Sequence, residues 1–311
     1  MPPSDQRTPH TLNTTDSNFR SGFVSIIGRP NVGKSTLLNK ILGQKIAITT
    51  SKPQTTRNRI LGIHNLEKGQ ILFLDTPGIH RGKGRLNRFM VDQAISACSD
   101  VDLILFLVEA NDPLGGGDDF ILDLISKGGS PVVLLINKID LVPRPALLAL
   151  IDAYAKKFSF RAIIPISGLK GDGVDTLPGI ILDLLPEGPR YYPEDMITDL
   201  PERFIVGEMI REQVLKQTRD EVPYGVAVTV ESFEEKPEKN LIVIGAVIRV
   251  DRDSHKSILL GKGGAMIRSI GKAARIDIER LLGHRVFLEL FVKVEKNWTD
   301  SERLLKELGY Q

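Results

Sequence analysis

A chain of 311 residues is long enough for two domains with cores of their own, and 41% hydrophobic with 26% charged residues is ordinary for a globular protein. A net charge of +2 announces no polyanion partner for the chain as a whole, so any basic face must be local. The single cysteine, Cys98, excludes an intramolecular disulfide framework and a cysteine-based zinc site; the five histidines lack ligand spacing, and no apolar run approaches the ~18 residues of a membrane span.

Residues 1–20 are polar and carry Pro2, Pro3 and Pro9, which predicts a flexible tail. Arg7 and Arg20 are balanced there by Asp5 and Asp16, unlike an arginine-rich transit peptide, so a bacterial cytoplasmic protein is expected. The apolar, β-branched run Phe23–Ile27 predicts a buried strand, and it leads directly into Gly28-Arg29-Pro30-Asn31-Val32-Gly33-Lys34-Ser35. Thr36–Leu42 then has helical spacing. In this strand–loop–helix order, backbone N–H groups surround a β-phosphate and the helix N-terminus adds its positive dipole. Lys34 supplies a point charge to the β- and γ-phosphates and Ser35 a hydroxyl to Mg²⁺.

The polar stretch Ser51–Arg57 follows, and a threonine there can complete the Mg²⁺ shell; Thr56 is favoured over Thr55. Arg59–His64 and Gln70–Leu74 predict a hairpin with one antiparallel strand. Its second strand runs into Asp75-Thr76-Pro77-Gly78, where Asp75 is placed to hold Mg²⁺ through water. Gly78 can there offer its N–H to a γ-phosphate and swing when that phosphate leaves. Ile79 comes next. Val91–Asp100 reads as a helix with Cys98 as a small core residue.

Strand-like Val132–Ile136 ends in Asn137-Lys138-Ile139-Asp140. The Asp140 carboxylate can accept the ring N–H and the exocyclic amine of guanine, and adenine would leave its lone pairs unmatched. The Lys138 stem can cover the base, and Asn137 can tie this loop to the phosphate loop. Ile163–Ile166 then delivers Ser167-Gly168-Leu169-Lys170, where a backbone N–H can reach the guanine oxygen. Strands and helices thus alternate over residues 21–185, the pattern of a doubly wound α/β domain.

Residues 186–200, opened by the proline-rich Pro186–Asp195, predict a linker, with Tyr191–Pro193 the expected hinge. In the remainder, residues 201–311, the pattern is helix Arg203–Gln217, strands Tyr224–Phe233 and Leu241–Val250, and helix Lys256–Leu260. Gly261-Lys262-Gly263-Gly264, helix Ala265–Leu282 and strand Arg285–Val294 follow. A closing helix Asp300–Leu308 takes Thr299 or Asp300 as its N-cap. That order is the order of a type II KH domain, an α+β fold in which the G-x-x-G bend clamps the backbone of about four unpaired nucleotides. Candidate RNA contacts are Gly261, Lys262, Gly263, Gly264, Ile267, Arg268 and Lys272. From Asp251 to Arg285 eight arginines and lysines face four carboxylates, a local basic surplus.

These elements, in this order, resemble a P-loop GTPase of the TRAFAC class; the G-R-P-N-V-G-K-S loop and the Q-T-T-R segment are similar to those of the Era-like bacterial ribosome-assembly GTPases. That family usually has Ser-Ala where this chain has Ser167-Gly168, a difference of little weight for a backbone contact. The resemblance implies GTP hydrolysis with Mg²⁺ and binding of single-stranded RNA near the 3′ end of 16S rRNA in assembly of the 30S subunit. It further implies peripheral association with the inner membrane, and a monomer is expected. Ras-like switches carry a water-orienting glutamine where this chain has Ile79; relatives with this replacement use a potassium ion, held in part by an asparagine that Asn31 matches. Two readings stay open beside this one, an Era-like GTPase with another RNA target and a nucleotide-locked RNA-binding protein.

Overall fold

The computed structural model describes residues 18–79, 84–112, 116–220 and 222–310. Most of the expected tail therefore lies outside the described residues, and Arg20 already opens the first strand. In the first half the order is β1 (Arg20–Gly28), α1 (Lys34–Leu42), β2 (Ile60–Leu66), β3 (Gly69–Asp75), α2 (Arg85–Ser96), β4 (Leu103–Glu109) and α3 (Gly116–Ser126). It continues with β5 (Val132–Asn137), α4 (Arg144–Ala155), β6 (Ala162–Pro165) and α5 (Leu177–Leu184). The six strands form one sheet in the order β2-β3-β1-β4-β5-β6; only β2 runs antiparallel, paired with β3 as the hairpin pattern predicts. The inner strands are apolar on both faces because helices cover both, which separates two cores about the sheet. Consequently the C-terminal ends of β1, β3 and β5 open onto one edge, where the phosphate and base loops emerge.

Helix α2 stops at Ser96, short of the expected Asp100. The chain leaves through Asp100 in the left-handed region (φ 56), and Cys98 sits beyond the helix with its thiol on the Ala94 carbonyl, its pKa pushed up to about 11 by burial.

The second half comprises α6 (Glu202–Gln217), β7 (Val226–Lys236), β8 (Leu241–Val250), α7 (Asp253–Leu260), α8 (Ala265–Leu282), β9 (Arg285–Val294) and α9 (Glu302–Glu307). Its sheet is ordered β7-β8-β9, with β7/β8 antiparallel and β8/β9 parallel, over a core shared with α6 and α8. The cap of α9 is Ser301, whose hydroxyl accepts from Leu304 N, and not Thr299 or Asp300. Those two residues belong to a preceding 3-10 turn, Trp298–Asp300.

The expected hinge is hydrogen-bonded to the first sheet. Backbone N–H groups of Tyr191 and Tyr192 donate to Gln70 Oε1 at 2.9 and 3.0 Å, and Gln70 Nε2 donates back to the Tyr192 carbonyl at 2.8 Å. Further on, Ile63 N donates to the Ile197 carbonyl and Thr198 Oγ1 to the Leu61 carbonyl. The connector is thereby laid along the first sheet as far as Thr198, and Leu200 packs against both a first-domain core and the second-domain core.

Candidate nucleotide site and nucleic-acid interface

Beneath the loop between β1 and α1, three oxygen groups converge. Ser35 Oγ donates to Asp75 Oδ2 at 2.6 Å and lies 2.8 Å from Thr56 Oγ1. Asp75 is fully buried, and its second oxygen has no partner among the described residues. Burial pushes its pKa up to about 6 against the opposing pull of Lys34. The Lys34 ammonium is buried too, donating among the described residues only to the Gly28 and Arg29 carbonyls at 3.0 and 2.9 Å, and burial lowers its pKa to about 8. A buried carboxylate and ammonium supplied mainly with dipoles fit a hard cation and a phosphate, whose charges would offset that desolvation. Among the described residues no three His, Cys, Asp or Glu gather as a protein-only metal cluster, so hydroxyls and phosphate must complete the shell.

Of the two candidate threonines, Thr56 faces Ser35, whereas Thr55 Oγ1 is engaged by Thr50 Oγ1 and the Lys52 carbonyl, each at 2.7 Å. Pro30, Asn31, Gly33, Lys34, Ser35, Thr36, Thr55, Thr56 and Gly78 line one cavity. Arg29 contributes backbone only, since its side chain turns away to Asp118 and Asp112 at 2.8 Å. Val32 is core. Asn31 Nδ2 donates to the Ser51 carbonyl at 2.7 Å. Gly78 must be glycine, because an added Cβ would stand 2.6 Å from Pro30 Cα. Thr76 Oγ1 is bonded to the Ile26 carbonyl at 2.9 Å, next to Pro77, and fixes the base of this segment. Ile79 is 2% exposed and packs in the core with Ile27, directed away from the cavity.

At the neighbouring strand ends, Asn137 Nδ2 donates to the Val32 carbonyl at 2.7 Å and its Oδ1 accepts from Gly168 N at 2.8 Å, so one side chain ties three loops together. Lys138 adopts φ 64 and pairs with Glu109 at 2.6 Å. Asp140 is held by the Ser167 hydroxyl at 2.7 Å, a bond that keeps its carboxyl below the usual range. Ser167 N is committed to the Asp172 carbonyl, and exposed Leu169 closes the rim.

In the second domain, α7 and α8 meet at Gly261–Gly264. Gly263 adopts φ 58 with open space around it, which lets a phosphate approach its N–H. Arg268, Lys272 and Arg275 recur along one face of α8, and with Ile267 and Gly271 they line a depression closed by Phe287, Leu288 and Leu290. Ile267, Arg268 and Lys272 are among the contacts the sequence suggests, whereas Arg275 and the strand side are brought beside them by the fold. The signal was present in β9: its alternation buries Val286, so Phe287 and Phe291 face outward at 53% and 60% exposure.

Comparison with known proteins agrees with this geometry. Residues 23–138 match a family model described as 50S ribosome-binding GTPase, and residues 221–299 match one described as KH domain. The GTPase Era of Geobacter metallireducens is 58% identical over 296 residues, 95% of this chain and 99% of that protein. That of Ruminiclostridium cellulolyticum is 53% identical over 294 residues, 94% and 98% of the two chains. Two solved structures superpose with a TM-score of 0.91 at 42% identity, each covering 94% of this chain and 99% of its own. One is Era in complex with MgGDPNP and nucleotides 1506–1542 of 16S ribosomal RNA. The other is a point variant of Aquifex aeolicus Era bound to GDP and AlF4⁻. The expected fold, a P-loop GTPase domain followed by a type II KH domain, is the one observed, and the chain belongs to the Era family of GTPases.

Proposed function

We propose that this protein is a GTP-driven clamp on ribosomal RNA: it binds GTP with Mg²⁺, engages single-stranded RNA near the 3′ end of 16S rRNA through its KH domain, and hydrolyses GTP to GDP and phosphate as it assists 30S assembly. The observation that carries the nucleotide half is the Ser35 hydroxyl held between Asp75 and Thr56, beside an unpartnered carboxylate oxygen. In this reading the loop amides and Lys34 hold the β- and γ-phosphates, while Ser35, Thr56 and Asp75 hold Mg²⁺. Asp140 reads the guanine edge in an orientation set by Ser167. The metal supplies charge neutralisation at the bridging oxygens. The Asn31 carboxamide oxygen, its amide nitrogen being engaged by the Ser51 carbonyl, would hold in part a potassium ion, which would supply positive charge beside the phosphates.

The RNA half is supported by the Gly261–Gly264 turn, the cationic face of α8 and the exposed Phe287 beside it. The solved Era complex with MgGDPNP and a 16S fragment places both ligands on one homologous chain. We place the protein in the bacterial cytoplasm as a monomer acting on the 30S subunit. Among the described residues no helix is long and apolar enough to cross a membrane, so association with the inner membrane would be peripheral.

Binding of a labelled RNA copying the 16S 3′ end tests this, measured with a non-hydrolysable GTP analogue, with GDP and without nucleotide. Tight binding with the analogue alone, lost in Gly263→Asp, is expected. Equal binding in all three states would refute the clamp, and no binding would move the target to another RNA.

A further inference from the structure

We infer that two arginines buried between the domains, Arg57 and Arg211, are positioning residues for Thr56, so that the KH domain sets how well the first domain tells GTP from GDP. The inference rests on Thr56 as the magnesium threonine.

The long loop between α1 and β2 carries Thr56, and a loop of this length is ordinarily held by something outside itself. Here the second domain holds it. Lys45 pairs with Glu212 at 2.6 Å and with Asp277 at 3.0 Å. Glu212, wholly buried in α6, also accepts from Thr49 N at 2.8 Å, and Lys52 donates to the Thr218 carbonyl. Closer to Thr56 the grip tightens. The residue before it, Thr55, gives its carbonyl to Arg211, which is aligned by two bonds to Glu208 at 2.7 and 2.6 Å.

The residue after it, Arg57, is 1% exposed and lies inside the other domain. Its Nη1 donates to the Val226 carbonyl at 2.7 Å and the Tyr310 hydroxyl at 3.4 Å. Its Nη2 donates to the Tyr224 and Pro223 carbonyls at 2.9 and 3.4 Å, and its guanidinium lies 5.7 and 5.8 Å from the ring centroids of Trp298 and Tyr310. No carboxylate touches the Arg57 guanidinium among the described residues. A charge buried against carbonyl dipoles and ring faces is a costly way to gain stability, but a planar five-donor fork fixes direction as no other side chain does. Thr56 is therefore bracketed on both sides by neighbours anchored across the interface, and its distance to Ser35 is set from there.

The nucleotide dependence follows from the chemistry. A threonine that completes the Mg²⁺ shell only when the γ-phosphate is present contributes to GTP binding and not to GDP binding. Linkage then requires that Mg²⁺ and GTP favour this seating of the domains by the same factor by which the seating favours them.

The test is made on the full chain with Arg57→Ala, Arg211→Ala and Thr56→Ala, measuring Kd for a non-hydrolysable GTP analogue and for GDP, together with the Mg²⁺ needed for half-maximal hydrolysis. Each arginine variant is expected to weaken analogue binding by about tenfold, within the ordinary range of coupling between sites, and to raise the Mg²⁺ requirement. GDP affinity, which reports an intact first domain, is expected to stay within about twofold in both. Should Arg57→Ala fail to fold, Arg211→Ala decides, since that residue belongs to the KH domain and touches no nucleotide. Wild-type analogue-to-GDP ratios in the arginine variants, with an altered ratio in Thr56→Ala, would overturn the positioning role alone. An unaltered ratio in Thr56→Ala would overturn the magnesium assignment beneath it.

Discussion

Ile79 shows how far single residues could be read. D-T-P-G followed by isoleucine told that no glutamine is available to orient water; only the fold tells that the side chain points into the core, 2% exposed and packed with Ile27. Restoring glutamine should therefore not restore a Ras-like mechanism. Ile79→Gln is expected to leave hydrolysis no faster, with the same ratio of rates in potassium and sodium as the unaltered protein, while burying an amide without a partner at about 1–3 kcal/mol. Thermal unfolding would register that loss as ~2–4 °C per kcal/mol for a domain of this size. A several-fold gain in turnover would mean the glutamine reaches the cavity and the core assignment is wrong. The same division holds elsewhere in the site. Lys34, Ser35, Asp75 and Asn137 were legible as candidates because each lies in a short motif, G-x-x-x-x-G-K-S, D-x-x-G or N-K-x-D, whose internal spacing marks it however far away its partner is. The turning away of Arg29 was not, since its partner Asp118 lies 89 positions along the chain.

Elements with strong local signals were read to the residue. The α8 span Ala265–Leu282 has left-handed glycines at both ends, Gly264 at φ 77 and Gly283 at φ 69, and β9 matches its alternating run. The connector was harder. Its prolines announced a break in regular structure, but whether it bends freely depends on Gln70, fully buried on β3 and remote in sequence. A single carboxamide oxygen accepts from Tyr191 N and Tyr192 N, so truncating it removes two partly buried hydrogen bonds, worth about 0.5–1.5 kcal/mol each where water can replace the acceptor. Gln70→Ala is expected to lower the melting temperature and to open the segment 186–198 to limited proteolysis. Unchanged protease resistance would show that the bonds to β2, Ile63 to Ile197 and Leu61 to Thr198, suffice to hold the connector.

At the scale of the whole molecule the sequence divided the chain into two folds without showing how one sits on the other. The seating is made by a small shared core, Leu86 and Met90 of α2 against Ala227, Trp298, Leu305 and Tyr310. No periodicity within either domain encodes that match, because each partner shows only a few apolar positions beyond its own core. Both segments proposed to respond to the γ-phosphate border this interface: the Thr56 loop through Arg57, and the Gly78 segment through α2, the next helix along the chain. Trp298, the one tryptophan of the chain, lies within it, fully buried, stacked on Tyr310 at 5.8 Å, its indole donating to the Gly225 carbonyl at 3.0 Å. Its fluorescence thus reports the seating directly. If GTP tightens the grip on Thr56, exchanging the analogue for GDP should loosen this core and move the emission to longer wavelength as water reaches the indole. Arg57→Ala should give the longer-wavelength emission in both nucleotide states, because the linkage is cut on the protein side. Identical emission with analogue and with GDP in the unaltered protein would mean that the domains keep one seating through the cycle, and that RNA engagement is governed within the KH domain alone.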